Sequence, residues 1–261
     1  ALDYILRGRA AKYRPTSAEN YAEAVSSFER ALELDPQSPD AQLGLAQVLI
    51  GRVLDFPSSS AAADIDRADE LANRALAAAP RSAWAHVVKG QVLRGQRRCA
   101  EAISEYETAL SLDHNWAGAL ADIGRCKIRI GPIEEAIPLL EQAIRLSPRD
   151  PIPGIWYFRI GEAHLLQSHI DDAILWFEKG ERALTTWHAL RGLLASAYAL
   201  KGDNERAAAE LAEARKLNGE GYSWQSIARI RAGTRYETPA VRALAEATFF
   251  EGLRRAGVPE E

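Results

Sequence analysis

The sequence predicts an all-α fold, a linear array of about six helix-turn-helix units closed by C-terminal helices, and two observations carry that expectation. The first is an internal repeat. AWAHVVKGQVLRGQRRCAEAISEYETALSLDHNW, from Ala83, aligns with AGALADIGRCKIRIGPIEEAIPLLEQAIRLSPRD, from Ala117, so that Gly90 falls on Gly124, Ala102 on Ala136 and Ala109 on Ala143, each 34 residues apart. The second is composition: apolar residues are 47% of the 261 but aromatics only 8%, so alanine, the best helix former, carries much of the apolar fraction. A strand-built core would draw instead on β-branched and aromatic residues.

Units beginning near residues 1, 39, 83, 117, 154 and 188 account for residues 1–221. The first places Tyr4, Gly8, Ala24, Phe28, Ala31 and Pro36 in the pattern, with about four extra residues around Pro15 and Thr16 lengthening its turn. The second supplies Leu45, Ala46 and Leu49, then Ala68, Ala72, Ala75 and Pro80. Between its helices an insertion of about ten residues, within Gly51 to Ile65, contains FPSSSAAAD and reads as a loop, with Asp64 or Asp66 as the next N-cap. The third and fourth units are the aligned pair, ending at Pro148.

The fifth unit, delayed by Pro151 to Pro153, carries Tyr157, Ile160, Gly161, His164, Ala173 and Phe177, but Gly180 stands where alanine is expected. Glycine inside a helix costs roughly 1 kcal/mol against alanine. The join after it, ERALTTWHALRG, has Thr185 in place of a proline and Arg191 in place of an aromatic, so Gly180 to Gly192 is expected to be the weakest join in the array. The sixth unit recovers with Leu194, Ala195, Tyr198, Gly202, Ala207, Leu211 and Ala214. From 222 to 261 the repeat is lost: SWQSIARIRA reads as a short helix, and a final helix starts at the Thr238 cap with Pro239 in its first turn and stops at Gly257. These helices are expected to cap the array.

The small residues at positions 8, 20 and 27, with aromatic or aliphatic residues at 4, 7, 11 and 24 and proline at 32, resemble the tetratricopeptide repeat. That resemblance implies a right-handed superhelix whose first helices line a concave groove through positions 2, 5, 9, 12 and 13. In this sequence those positions include Arg9, Lys12, Gln47, Gln91, Arg94, Arg125 and Arg129, opposed mainly by Asp40 and Glu162. A basic groove of this kind is expected to hold a protein or peptide partner through an acidic segment or a C-terminal carboxylate, gripped by forked arginine contacts. Beyond the repeat, LDYILRGRA, AQVLIGRVLDFPSSSAAADI and RALAEATFFEGLRRAGVPEE are similar to the C-terminal repeat region of class III adenylate cyclases from rhizobia and related alphaproteobacteria. In such a protein the catalytic domain and its metal-binding aspartates lie upstream, and no catalytic residue carries over onto this chain.

Other functions find little support in the residues. A net charge of -4 and a pI near 5.9 give no bulk electrostatic attraction for nucleic acid. No apolar run is long enough to span a membrane, and Cys99 and Cys126, the only cysteines, stand in no metal-ligand spacing, which fits a reducing cytoplasm. The sequence begins at Ala1 and contains no Met, as expected of a processed chain or an excised fragment. Phosphate-loop, dinucleotide and nucleophile-elbow motifs are missing, so neither enzyme activity nor a cofactor is expected. His164 and His169 are five apart, a spacing that does not share one face of a continuous helix, and no metal site is expected. Acidic pairs such as Asp171 with Asp172 read as helix-start residues.

Overall fold

A computed structural model describes residues 1–14, 17–55, 60–148, 153–184, 187–218 and 224–261, and among them every regular element is helical. The helices are α1 (Leu2–Lys12), α2 (Ala18–Leu34), α3 (Pro39–Asp55), α4 (Ala61–Ala78), α5 (Ala83–Gly95), α6 (Cys99–Leu112), α7 (Ala117–Ile130), α8 (Ala136–Leu146), α9 (Pro153–Leu166), α10 (Ile170–Ala183), α11 (His188–Lys201), α12 (Asn204–Asn218), α13 (Ile227–Gly233), α14 (Pro239–Ala245) and α15 (Glu251–Arg255). A 3-10 turn, Ile133–Glu135, leads into α8, and a π turn, Glu246–Phe250, runs α14 into α15 as one continuous helix. The described residues form two compact units, Ala1–Asp122 and Ile123–Glu261, with the boundary inside α7.

Local chemistry starts and stops these helices where the repeat requires. Ser17, Ser38 and Ser82 each stand just before a helix, and their hydroxyls accept from the amides of Asn20, Ala41 and Ala85, satisfying donors that no carbonyl inside the helix can reach. Thr238 does the same for Val241, with Pro239 in the first turn as its fixed φ allows. Gly202 ends α11 at φ 86°, a left-handed conformation that glycine adopts without a Cβ clash.

Packing within a unit rests on a ring laid against a glycine. A Cβ at Gly90 would lie 2.5 Å from the Tyr106 ring, and one at Gly161 would lie 2.5 Å from Phe177. Phe28 is enclosed from two sides, by Gly8 of its own unit and Gly44 of the next. Position 8 is therefore small because the position-24 side chain occupies the space a methyl would need. Alanines at positions 20 and 27 complete the close approach: Ala24, Ala31, Ala102, Ala109, Ala136, Ala143 and Ala173 are all fully buried.

Two expectations need correction. The insertion in the second unit is mostly helix, because α3 runs to Asp55 and α4 starts at Ala61; residues 56–59 lie outside the described residues. Neither Asp64 nor Asp66 is an N-cap, since both sit within α4. Asp64 takes a forked contact from Arg52 Nη2 at 2.7 Å and Nε at 3.1 Å, which ties the two lengthened helix ends together. The join between the fifth and sixth units lacks the usual packing residues yet has substitutes, although Thr185 and Thr186 lie outside the described residues. Gly180 leaves room for Leu190, whose Cδ1 would be 2.8 Å from an added Cβ, and Trp187 packs against Phe158 with ring centres 4.4 Å apart and ring planes tilted by 52°. Arg191 bridges Glu181 at 2.5 Å and Glu210 at 3.0 Å. Burial raises the Glu210 carboxyl, against the pull of Arg191, so the guanidinium is what favours its charged form.

Removing that charge gives a testable outcome. Arg191→Ala should destabilise the fold by about 1–3 kcal/mol at neutral pH, less than a fully buried pair because Glu181 is partly solvated. A carboxyl raised in the folded state penalises folding only once it ionises, so the gap from the parent chain should shrink as pH falls through the carboxylate range. Thermal unfolding at several pH values checks this; a gap independent of pH would contradict the bridging role. The ring-on-glycine contact predicts that Gly161→Ala costs about 1–3 kcal/mol by overpacking, whereas Gly118→Ala, whose nearest neighbour would be Trp116 at 3.7 Å, costs nothing in denaturant melts.

Candidate functional site

Because position 8 is locked against position 24, the neighbouring position 9 is presented from each first helix at a fixed angle. In the first compact unit those residues are Arg9 on α1, Gln47 on α3 and Gln91 on α5, and all three line one groove of about 410 Å³. Lys12 joins them from the next turn of α1. Phe28 and Gly44 lie at the base, and Tyr13, Trp84, Val87 and Trp116 contribute apolar walls.

Polar side chains form a ladder across the groove. Lys12 Nζ donates to Gln47 Oε1 at 2.5 Å, and Gln47 Nε2 donates to Gln91 Oε1 at 3.2 Å, linking α1, α3 and α5. Arg9 donates to Asp40 at 3.2 Å, and its guanidinium lies 5.0 Å from the centre of the Trp84 ring. Burial, and then the charge of Arg9, lower the Lys12 ammonium to about 8, so it remains largely charged at neutral pH while being easy to discharge above it. An anion entering here would meet two cations and two amides fixed by one another, flanked by indole faces.

The other expected groove residues do not extend this stripe. Arg94 is 4% exposed and lies 3.6 Å from Asp122, so it serves the packing between helices. In the second compact unit Arg125 is half-buried and Arg129 is 6% exposed. The corresponding face of that unit is covered by the chain's own C-terminal segment. Glu237 N donates to Arg129 O at 2.9 Å, Tyr236 Oη donates to Glu162 at 3.0 Å, and Ser196 Oγ donates to Phe249 O at 2.8 Å. Gly252 passes so close to α11 that an added Cβ would lie 2.4 Å from Ser196 O. Burial, and then the charge of Glu162, hold the Tyr236 phenol well above its ordinary range and keep it a donor. At position 9, then, Arg9, Gln47 and Gln91 line a groove in the first compact unit, whereas Glu162 and Ser196 in the second are engaged by Tyr236 and by Phe249 with Gly252.

Trp84 stands at position 2 of its repeat, one of the five groove positions, and attention to charged and amide residues alone passes over it. Trp116 and the Tyr236 contact leave no comparable trace, since the latter joins residues 74 apart through an irregular segment.

One further cluster corrects the sequence reading. His164 lies in the last turn of α9 and His169 stands at the N-cap position of α10, so the turn between the helices, not one continuous helix, sets their relation and brings the two rings to 5.9 Å. With Asp172 they are the group of His, Cys, Asp and Glu side chains, among the described residues, whose ligand atoms all lie within 4.8 Å of one another. The expectation that the two imidazoles stay apart fails because it treats a hairpin as a single helix.

Two segments of the chain match family models described as tetratricopeptide repeat, residues 16–52 and residues 123–185, one lying in each compact unit. No curated protein matches the chain. Among solved structures it is similar to a chain of the APC/C hetero-tetramer Cut9-Hcn1, with a TM-score of 0.67 at 16% identity over 83% of this chain and 43% of that one. It is also similar to a tetratricopeptide-repeat protein of Thermus thermophilus, with a TM-score of 0.59 at 21% identity over 75% of this chain and 97% of that one. PilF of Pseudomonas aeruginosa gives a TM-score of 0.59 at 19% identity over 90% of this chain and 93% of that one. The chain spans less than half the length of the first of these, and at such identities the likeness establishes the fold alone. Each unit contains a segment that matches a tetratricopeptide-repeat model, and the chain has the fold of tetratricopeptide-repeat proteins.

Proposed function

We propose that this chain is a non-catalytic protein-interaction scaffold whose first-unit groove binds an extended peptide through an acidic side chain or a C-terminal carboxylate. The carrying observation is the Lys12–Gln47–Gln91 ladder with Arg9 beside it, two cations and two carboxamides converging between Trp84 and Trp116. Carboxamides at successive first helices suit the amides and carbonyls of an extended backbone, and the cations suit its anionic group. No single contact dominates such a site: an exposed ion pair contributes about 1 kcal/mol or less, so micromolar affinity, roughly -8 kcal/mol, requires the ladder and the indoles together. Residues 1–221 then act as the repeat array and residues 222–261 as a cap laid over first helices of the second compact unit. Arg125 and Arg129 contribute to that unit rather than to the groove.

A second reading makes the chain the regulatory region of an adenylate cyclase. The segments similar to that family take structural roles that favour it: LDYILRGRA forms α1 and supplies Arg9, while RALAEATFFEGLRRAGVPEE forms the helix that covers the second compact unit. In that reading the groove partner is a segment of a cyclase. Both readings place the chain in a reducing cytoplasm, where the buried Cys99 and Cys126 stay thiols; no helix among the described residues is long and apolar enough to cross a membrane.

Binding of fluorescently labelled acidic peptides, with amidated and free C-termini, tests the proposal. Lys12→Ala and Gln91→Ala should each weaken binding about three- to tenfold without changing helicity, as expected for partly solvated contacts. A bound carboxylate stabilises charged Lys12, so affinity should hold below pH 8 and fall as pH rises through and beyond it, with proton uptake on binding. Equal affinity for acidic and neutral peptides, or no change in the Lys12 variant, would place the partner elsewhere.

A further inference from the structure

We propose that His164, His169 and Asp172 form a three-ligand site for a divalent transition metal of the Zn²⁺ type, lying on the turn between α9 and α10 and separate from the peptide groove. The first support is proximity. Ligand atoms of all three lie within 4.8 Å of one another, while a tetrahedral ion with bonds of about 2.0–2.1 Å holds its ligands about 3.3 Å apart. Rotation of the exposed His169 and Asp172 side chains closes that difference without moving a helix.

The second support is that the repeat itself builds the turn. Position 11 meets position 19 in three successive repeats: Lys127 pairs with Glu135 at 2.6 Å, and Arg206 lies 4.4 Å from the centre of the Tyr198 ring. His164 and Asp172 occupy the same two places in the repeat between, so the hairpin brings them together whether or not an ion is present. There the pairing takes a different form. Asp171 is engaged by Lys201 at 2.6 Å, but no ion pair of Asp172 occurs among the described residues. His164 Nδ1 is out of contact with solvent and has no hydrogen-bond partner among them either. His169, set at the helix start by its backbone N–H, which donates to His164 O at 2.9 Å, supplies the second imidazole that the neighbouring repeats lack.

The third support is charge. Asp172 and Glu141 both place negative charge toward His164, which favours a cation beside it. Two nitrogens and one carboxylate oxygen suit a borderline ion; soft Cu⁺ prefers sulfur, and Mg²⁺ or Ca²⁺ prefers an all-oxygen shell. Three protein ligands leave a position for water or for a donor from a partner.

Calorimetric titration of the chelator-stripped full chain with Zn²⁺ tests the proposal. One equivalent should bind at micromolar or lower concentration and raise the melting temperature. His169→Ala and Asp172→Asn, both at exposed positions, should each weaken binding about tenfold or more with helicity unchanged, while His114→Ala, an exposed histidine elsewhere, leaves it unaltered. Co²⁺ should give a visible absorption band in the parent chain that both variants lose. No saturable event below about 100 µM Zn²⁺, or one that survives the paired His169→Ala and Asp172→Asn substitutions, overturns it.

Discussion

A side chain laid flat on a glycine is the contact on which the rest of this structure depends. Where Tyr106 lies on Gly90 and Phe177 on Gly161, the ring fills space that any Cβ would occupy, and this fixes how far apart the two helices of a repeat sit and how each is rotated about its axis. Phe28, held between Gly8 and Gly44, extends the same constraint from one repeat to the next. Burying such rings supplies much of the apolar stabilisation, at about 1.5–3 kcal/mol for each large side chain. A repeat array then adds these contributions from neighbour to neighbour.

Fixed rotation of the first helices makes a site possible, because position 9 has to follow wherever position 8 is locked. In the first compact unit the result is a row of Arg9, Gln47 and Gln91 on one groove; in the second it is a row that the chain covers with its own Tyr236 to Gly252. The two units share the repeat and differ in what lies on it. The covered face is held by specific polar contacts, with Glu162 accepting from both Arg159 at 2.5 Å and Tyr236 at 3.0 Å, so a partner would have to replace them to enter. In the open groove, Lys12 carries the opposite burden: partly buried beside Arg9, it gains from any anion that arrives.

The repeat spacing made the helices legible, down to Thr238 with Pro239 at the final helix start, whereas the caps at Ser17 and Ser82 emerged only from the structure. Half of the groove was legible as well. Arg9, Lys12, Gln47 and Gln91 follow from position alone, but Arg94 and Arg129 occupy equivalent places and are buried, because burial depends on what packs against a helix and not on its own pattern. The lengthening of α3 and α4 was hidden by Phe56 to Ser59, which read as a longer loop, and the Arg52 to Asp64 fork that joins those helices has no sequence signature. His164 and His169 illustrate the same limit from the other side. Five residues apart along a helix they would diverge, and only the turn at Ser168, with φ 63°, makes them neighbours.

On the proposed function, the first-unit groove receives the partner, while the corresponding face of the second unit is covered by the chain's own C-terminal segment. The six tryptophan indoles are placed to report on it: Trp84 and Trp116 line the groove, whereas Trp224 donates to His188 at 3.2 Å on α11. Nuclear magnetic resonance of the ¹⁵N-labelled indoles during titration with an acidic peptide is the most direct measurement. Binding in the first-unit groove should shift Trp84 and Trp116 and leave Trp224 unmoved; shifts at Trp224 while Trp84 and Trp116 stay fixed would contradict that assignment.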